Sequence, residues 1–576
     1  MKTTFFAPYR RRAVWLLATA SLLGTSQAAL GQGYIGLAHS NYAGTNSTYV
    51  NPSAIADSRH KVYLSVLGGD IHFYNTYLQL DLPQRPWQKG FAFKSDYLQE
   101  QLAGGGQAGS VSAELRLPSL LLALGPRSAV AFTNRVRAFV QARDVSENLA
   151  RLAYNGLGDA DELGLADRLL TDNGFNLTAN SYHEFAFTYA RTFTPNTTHF
   201  FKGGLTLKYL VGLGGGYVHN AGTGYQVYGR DSIQLRSPNL SYAFTDYELY
   251  QQSGFSVGSL YGSQQLGRGY GADLGVTYEW RPDAERYQYH MDGTDRTDPA
   301  RNKYRLRLGL ALTDLGAVRY ANAQHVWQGT LAANRTVQLG QLDTLNINSP
   351  NDVGPTLQRL VGLGSQSREF TSYLPAALRL TADYQLANHL YTGLLWTQSL
   401  LPASTIGSRS SSVLALTPRI EFSHAELAVP LVLADNYRKF QLGAMLRLGP
   451  LVVGSDNLGG LLGLTTTTGA DFYFGLNLAL QRHRPKDRDR DGVSNKYDKC
   501  PKQKGTWETK GCPLPEPATP PVSPAPDAPV ASPPPPTEAL PTPPATPPAE
   551  APAPVPSPAE APAPPAAPAP APLPPG

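Results

Sequence analysis

Cysteine, methionine and charge are scarce in this 576-residue chain: it has two Cys and three Met, and only 16% of its residues are Asp, Glu, Lys or Arg. The cysteines, Cys500 and Cys512, lie close together with neither a third Cys nor a His beside them, so tetrahedral zinc coordination lacks its ligands. No stretch after the amino terminus holds the roughly 20 unbroken apolar residues of a membrane-crossing helix. The formal charge of +5 is small and the basic residues are scattered, which leaves no footprint for nucleic acid. Signatures of catalysis are missing too. No G-x-S-x-G occurs, His183-Glu184 is not followed by the second His of a zinc-protease helix, and Gly212 to Gly216 lacks the strand-turn-helix setting of a phosphate loop. The expectation is a protein that is not an enzyme.

Tyrosine (31) and glycine (55) are plentiful, and with so little charge they favour a large sheet with many turns over a helical bundle. Residues 1–28 read as a secretory signal. Lys2 and Arg10 to Arg12 precede the apolar run Ala13 to Leu23, and Ser26-Gln27-Ala28 offers a small-residue cleavage site. No Cys follows that site, so a lipid tether is not expected.

From 29 to 481 the governing pattern is alternation. Leu306, Leu308, Leu310 and Leu312, with Tyr304 before them, form one face of a strand whose other face carries Arg305, Arg307, Gly309 and Ala311. Leu378, Leu380, Ala382, Tyr384 and Leu386 alternate with Arg379, Thr381, Asp383 and Gln385, and Ala272, Leu274, Val276, Tyr278 and Trp280 with Asp273, Gly275, Thr277 and Glu279. A soluble sandwich also alternates, but here charges sit at mid-strand and aromatics (Tyr304, Tyr278, Trp280, Trp396) near the strand ends. Those marks predict an all-β fold: a transmembrane antiparallel β-barrel of about 14 strands, within two either way, with outer-membrane lipid around it. The further strands are expected at 61–67, 70–80, 111–125, 128–139, 183–193, 200–212, 240–249, 389–400, 412–422, 440–448 and 471–481. Long connections near 143–181, 250–267 and 321–374 are expected to face outward. In the first, Val145, Leu149, Leu152 and Ala153, then Leu163, Leu165, Leu169 and Leu170, show helical spacing. The turn bearing Asp292, Asp295 and Asp298 reads as solvated loop charge.

Residues 485–513 have another character. Asp487, Asp489 and Asp491 stand at positions one, three and five of a loop that turns at Gly492, with the Val493 carbonyl at seven, Asn495 at nine and Asp498 at twelve. A hard cation needs such a set of oxygens, and the order matches a calcium loop. Asp498 replaces the long Glu of the helix-loop-helix version, and Cys500-Pro501 follows where that version has a helix. Two cysteines so close together in an exported chain read as a Cys500–Cys512 disulfide. From 514 to 576 nearly every second residue is Pro or Ala, which predicts a disordered, extended, polyproline-like tail.

Two resemblances follow. The run Asp487 to Pro501 resembles a thrombospondin type 3 repeat, met at every place except Asn495, where that family usually has Asp. It implies bound calcium. Related barrels with this repeat often continue into a peptidoglycan-binding domain, and for this chain the tail's expected partners are peptidoglycan or periplasmic envelope proteins. Asn51-Pro52-Ser53, ahead of strand one, resembles the Asn-Pro-Ala element of outer-membrane proteins of the long-chain fatty-acid transporter type. There the segment enters the barrel as a plug, which implies a conduit or binding site for a hydrophobic small molecule. Relatives serving secretion or assembly give the alternative of a structural envelope protein.

Overall fold

Long segments with one polar and one apolar face can satisfy every backbone group in a bilayer only if the sheet closes on itself. In the computed structural model they do so. It describes residues 33–514 apart from 103, 172–173, 194–197, 229–231, 238, 247–248, 251–256, 263–264, 332–333, 339–365 and 403–404. The expected signal segment, and the tail from 515 onward, lie outside the described residues.

The wall has 14 antiparallel strands. They are β1 (His60–Asn75), β2 (Gln107–Ala123), β3 (Ser128–Val145), β4 (Gly174–Thr192), β5 (His199–Ala221), β6 (Gly267–Trp280) and β7 (Leu306–Ala321). Then follow β8 (Glu369–Tyr373 with Ala377–Ala387), β9 (Leu390–Ser399), β10 (Val413–Glu421), β11 (Ala425–Ala428 with Leu431–Ala434), β12 (Lys439–Leu442 with Ala444–Leu448), β13 (Leu451–Ser455) and β14 (Gly469–Gln481). Each pairs with its sequence neighbour, and β14 closes on β1 from His60↔Gln481 to Tyr74↔Gly469. Three of the breaks in the ladder fall where proline has no N–H to give: at Leu374-Pro375 inside β8, at Val429-Pro430 inside β11, and at the register shift between Leu117 and Leu120, around Pro118, in β2.

Alternation holds along the wall. In β5, Phe201, Leu205, Leu207 and Tyr209 face outward while Lys202, Thr206 and Lys208 are buried inside. Tyr278 and Phe201 meet on the outer face with ring centroids 5.0 Å apart, as in an aromatic girdle. Tyr304, expected among the interfacial aromatics, instead turns inward, buried, with its hydroxyl donating to Asp383 at 2.7 Å.

The strand number matches the expectation, but by offsetting errors. Residues 61–67 and the first part of 70–80 belong to one strand, β1, which runs through Gly68-Gly69 and ends at Asn75, while Leu78–Leu80 pair apart from the wall with Leu98–Glu100. The segment Leu240–Thr245 is strand, yet it pairs with the far end of β5 and with Val326–Leu331, beyond the stretch where β6 and β7 run. Strands β11 and β13 were not expected.

One end of the barrel carries short turns at 124–127, 388–389, 422–424 and 449–450, together with the start of β1 and the end of β14. The exception there is the connection 281–305, which holds the hairpin Gln288–Met291/Thr294–Thr297. The other end carries the connections 76–106, 146–173, 222–266, 322–368, 400–412 and 456–468, and one short turn, 435–438. Here the expected helix forms as α1 (Glu147–Asn155), capped by Ser146, whose side chain accepts from the Leu149 N–H. The second helical run does not form: Leu169–Leu170 pair as strand with Tyr225 and Gln226, and Leu165 and Leu170 pack on Tyr225 and Val227 in a small sheet of their own.

Candidate functional site

Residues 33–59 fill the lumen as three short 3-10 turns, Ile35–Leu37, Gly44–Tyr49 and Pro52–Ile55. Asn51 begins the last by accepting from the Ser53 N–H at 3.0 Å and the Ser53 hydroxyl at 2.7 Å, while Pro52 occupies the first turn, where its missing N–H costs nothing. Asn51 Nδ2 donates across to the Val276 carbonyl at 3.0 Å, and Ser53 Oγ meets Thr277 Oγ1 at 2.6 Å. Three glycines of adjacent wall strands make the seat. A Cβ at Gly204 would lie 2.5 Å from the Pro52 carbonyl carbon, at Gly275 2.1 Å from Asn51 Oδ1, and at Gly309 2.9 Å from Asn51 Nδ2. Only glycine admits so close an approach. The Asn-Pro-Ser element thus stands inside the barrel, as expected, and inward glycines at matching heights of three strands are the sequence signal that could have located its seat.

The rest of this plug is held mostly by polar bonds. Asn41 Nδ2 donates to Glu421 at 3.0 Å and its amide oxygen accepts from Arg307 at 3.0 Å; Ser40 donates to Glu426 at 2.6 Å; the Ile35 N–H donates to Asp456 at 3.0 Å. Arg116 stacks over Tyr34 at 3.7 Å and Arg135 over Tyr49 at 4.2 Å. Where the plug leaves the lumen, Asp57 takes Arg281 at 2.8 Å and Lys303 at 3.0 Å, and Arg59 donates to Asn302. Among the described residues, two cavities lie against it. The one near the short-turn end is about 90 Å³, the other about 70 Å³, and charged side chains line both.

The second candidate site lies beyond β14. Asp487, Asp489 and Asp491 each offer a carboxylate oxygen within 4.8 Å of the others. Both oxygens of Asp489, and Oδ2 of Asp498, are shielded from solvent without a hydrogen-bond partner. Such oxygens are what a bound cation would satisfy. Desolvation first, then the Asp491 and Asp498 carboxylates, push the Asp489 carboxyl above its ordinary range. The remaining loop oxygens are engaged locally: Asp487 accepts from the Arg490 and Gly492 N–H groups, Asn495 from Arg488, and Asp498 Oδ1 from Cys500. The three aspartates at positions one, three and five are therefore brought together, with Asp498 not among the carboxylates that lie within 4.8 Å of one another. Cys500 and Cys512 form the expected disulfide.

This module rests on the connection 281–305, a contact that sequence reading missed. The Asp292 N–H donates to the Gly492 carbonyl at 2.8 Å, and Asp292 Oδ1 accepts from the Ser494 N–H at 2.7 Å. Arg484 stacks over Tyr289 at 4.0 Å, and Gly293 packs so tightly on Trp507 that a Cβ there would lie 2.7 Å from the indole. Asp292 is thus a docking residue, not a solvated one, while Asp295 pairs with His290 at the surface.

A closed antiparallel wall with an apolar outer face defines the class, an outer-membrane β-barrel. Within it, the chain belongs to a family of unknown function, DUF5723, whose model matches residues 52–456. No curated protein matches it. Among solved structures it is similar to a FadL homologue from Pseudomonas aeruginosa (11% identity, 79% of this chain and 98% of that one, TM-score 0.27). It is also similar to the toluene transporter TodX from Pseudomonas putida (9%, 78% and 93%, TM-score 0.26) and the translocator domain of autotransporter NalP from Neisseria meningitidis (7%, 73% and 88%, TM-score 0.26). At this level of likeness none of them says what this chain carries.

Proposed function

We propose that this protein is an outer-membrane conduit or binding site for hydrophobic ligands, gated by its own residues 33–59, with a calcium-binding module beneath its periplasmic mouth. The observation that carries the reading is the plug: the lumen is occupied by a separate stretch of chain, joined to the wall largely by hydrogen bonds and ion pairs that water can replace. On the outer face of the same strands that seat Asn51-Pro52 runs an apolar groove of about 720 Å³, lined by Phe201, Val276, Tyr278, Leu308, Leu380 and Trp396. A second, of about 350 Å³, lies beside Gly214 to Gly216. A ligand dissolved in the bilayer reaches the first from the side.

By the usual asymmetry of such barrels the short-turn end faces the periplasm, so the module and the tail after it belong there. The likeness of residues 485–513 to a thrombospondin type 3 repeat supports calcium as the cation for Asp487, Asp489 and Asp491. The tail would then reach toward peptidoglycan or envelope proteins.

The small size of the two lumen cavities favours a second reading, a structural or assembly component through which nothing passes. Lipid analysis of the protein extracted from its own membrane, with and without residues 33–56, separates the two. A conduit copurifies with a defined hydrophobic compound and leaks across a planar bilayer once the plug is deleted. Absence of both results leaves the structural reading.

A further inference from the structure

The two lumen cavities differ in charge balance. Around the 70 Å³ cavity, Arg116, Arg135, Arg137, Lys208 and Arg379 meet Asp70, Glu114 and Asp314 in the lining, with Glu184 and Asp273 ion-paired to those cations from behind. Five charges face five. Around the 90 Å³ cavity, Arg59, Lys202, Arg281, Arg301, Lys303 and Arg307 face only Asp57 and Glu279. Arg307 is met by Asp383 at 2.9 Å, just outside the lining. Lys202, Arg281 and Lys303, all buried, share the two lining carboxylates, with Lys202 on Glu279 at 2.9 Å and Lys303 on Asp57 at 3.0 Å. Arg59 finds an amide and the Tyr42 ring, and Arg301 makes no salt bridge among the described residues.

We infer that this cavity is a binding site for a compact oxyanion of the phosphate or sulfate class. Arginine and lysine carry donors and no acceptor, so a pocket walled by six of them with two carboxylates holds an excess of positive charge that an added anion balances. Low-dielectric walls strengthen the uncompensated positive field instead of letting it dissipate. Four of the six are arginines, and a planar guanidinium can offer two N–H groups to two oxygens of one anion. The space holds several waters' worth of ligand and its lining is mostly polar, which suits a small tetrahedral ion. Exposed Arg301 puts the entrance at the short-turn end. The site is separate from the apolar grooves and does not depend on what the barrel conducts.

Equilibrium dialysis of the full-length protein in detergent against labelled inorganic phosphate tests this, with sodium chloride holding ionic strength constant. Saturable binding at one ion per chain is expected, displaced by sulfate. Replacing both rim cations (Arg59→Gln with Arg301→Gln) weakens it about tenfold or more, since each removes a charge-assisted partner, whereas Arg305→Gln, outside the lining, leaves it unchanged. Heat-dependent gel migration confirms that each variant is a closed barrel. Failure of the wild-type protein to bind phosphate or sulfate at millimolar concentration, or equal binding by the double variant, overturns the inference. Lipid copurification is read separately, so loss of one result does not imply loss of the other.

Discussion

Replacing Asp57 by Asn asks whether the plug is a gate held by charge. Asp57 sits in the left-handed region (φ 54), which Asn tolerates, so backbone and shape are kept and only the charge is lost. In the wild type the carboxylate, 14% exposed, binds Arg281 at 2.8 Å and Lys303 at 3.0 Å. Arg281 retains Glu279, but Lys303 loses its one salt-bridge carboxylate. Two charge-assisted bonds at about 1.5–3 kcal/mol each, less what the amide oxygen still accepts, weaken the plug's docking by about 2–5 kcal/mol. That raises the undocked population about 30- to 4000-fold. Ser53, fully buried in the plug, is the reporter: the native cysteines are joined to each other, so Ser53→Cys supplies the single reactive thiol. Its rate of maleimide labelling should rise by that factor on adding Asp57→Asn, with the thermal transition of the wall unchanged. Labelling at the parent rate would mean that these ion pairs do not hold the plug.

Three further outcomes are expected. Asp487→Asn with Asp491→Asn abolishes calcium-dependent protection of residues 485–513 from protease and leaves the barrel's heat stability as it was; simultaneous loss of both would show that module and wall are not separable. Gly293→Ala places a methyl group 2.7 Å from the Trp507 indole at φ 70, so the module should lift from the connection and amide exchange over 484–512 should quicken. Arg419→Met strips Asp383 and Glu421 of the fully buried guanidinium they share at 2.6 and 2.8 Å, which should cost about 3–5 kcal/mol in denaturant unfolding.

Alternation made most of the wall legible, because a residue's face in a strand depends only on its own parity. It misled where glycine or proline interrupts that parity. Gly68-Gly69 looks like a turn, yet it pairs straight through with Gly475 and Phe474, so one strand was read as two. Val429-Pro430, Gly443 and Gly454 erase the rhythm of short strands, and β11 and β13 were missed. The plug element and the carboxylate loop were visible because their residues are contiguous. The partners of Asp57, Asn41 and Asp292 were not, since each bond joins residues about 200 or more positions apart and no local pattern encodes it.

The connection 281–305 holds Asp57 by Arg281 and Lys303 at its two roots and carries the cation-loop module on its tip. A sideways tug on the module would therefore reach the cork's last anchor through a single hairpin, as through a crank. Any machinery gripping the envelope side of this barrel would have a handle on the stopper without ever entering the bore.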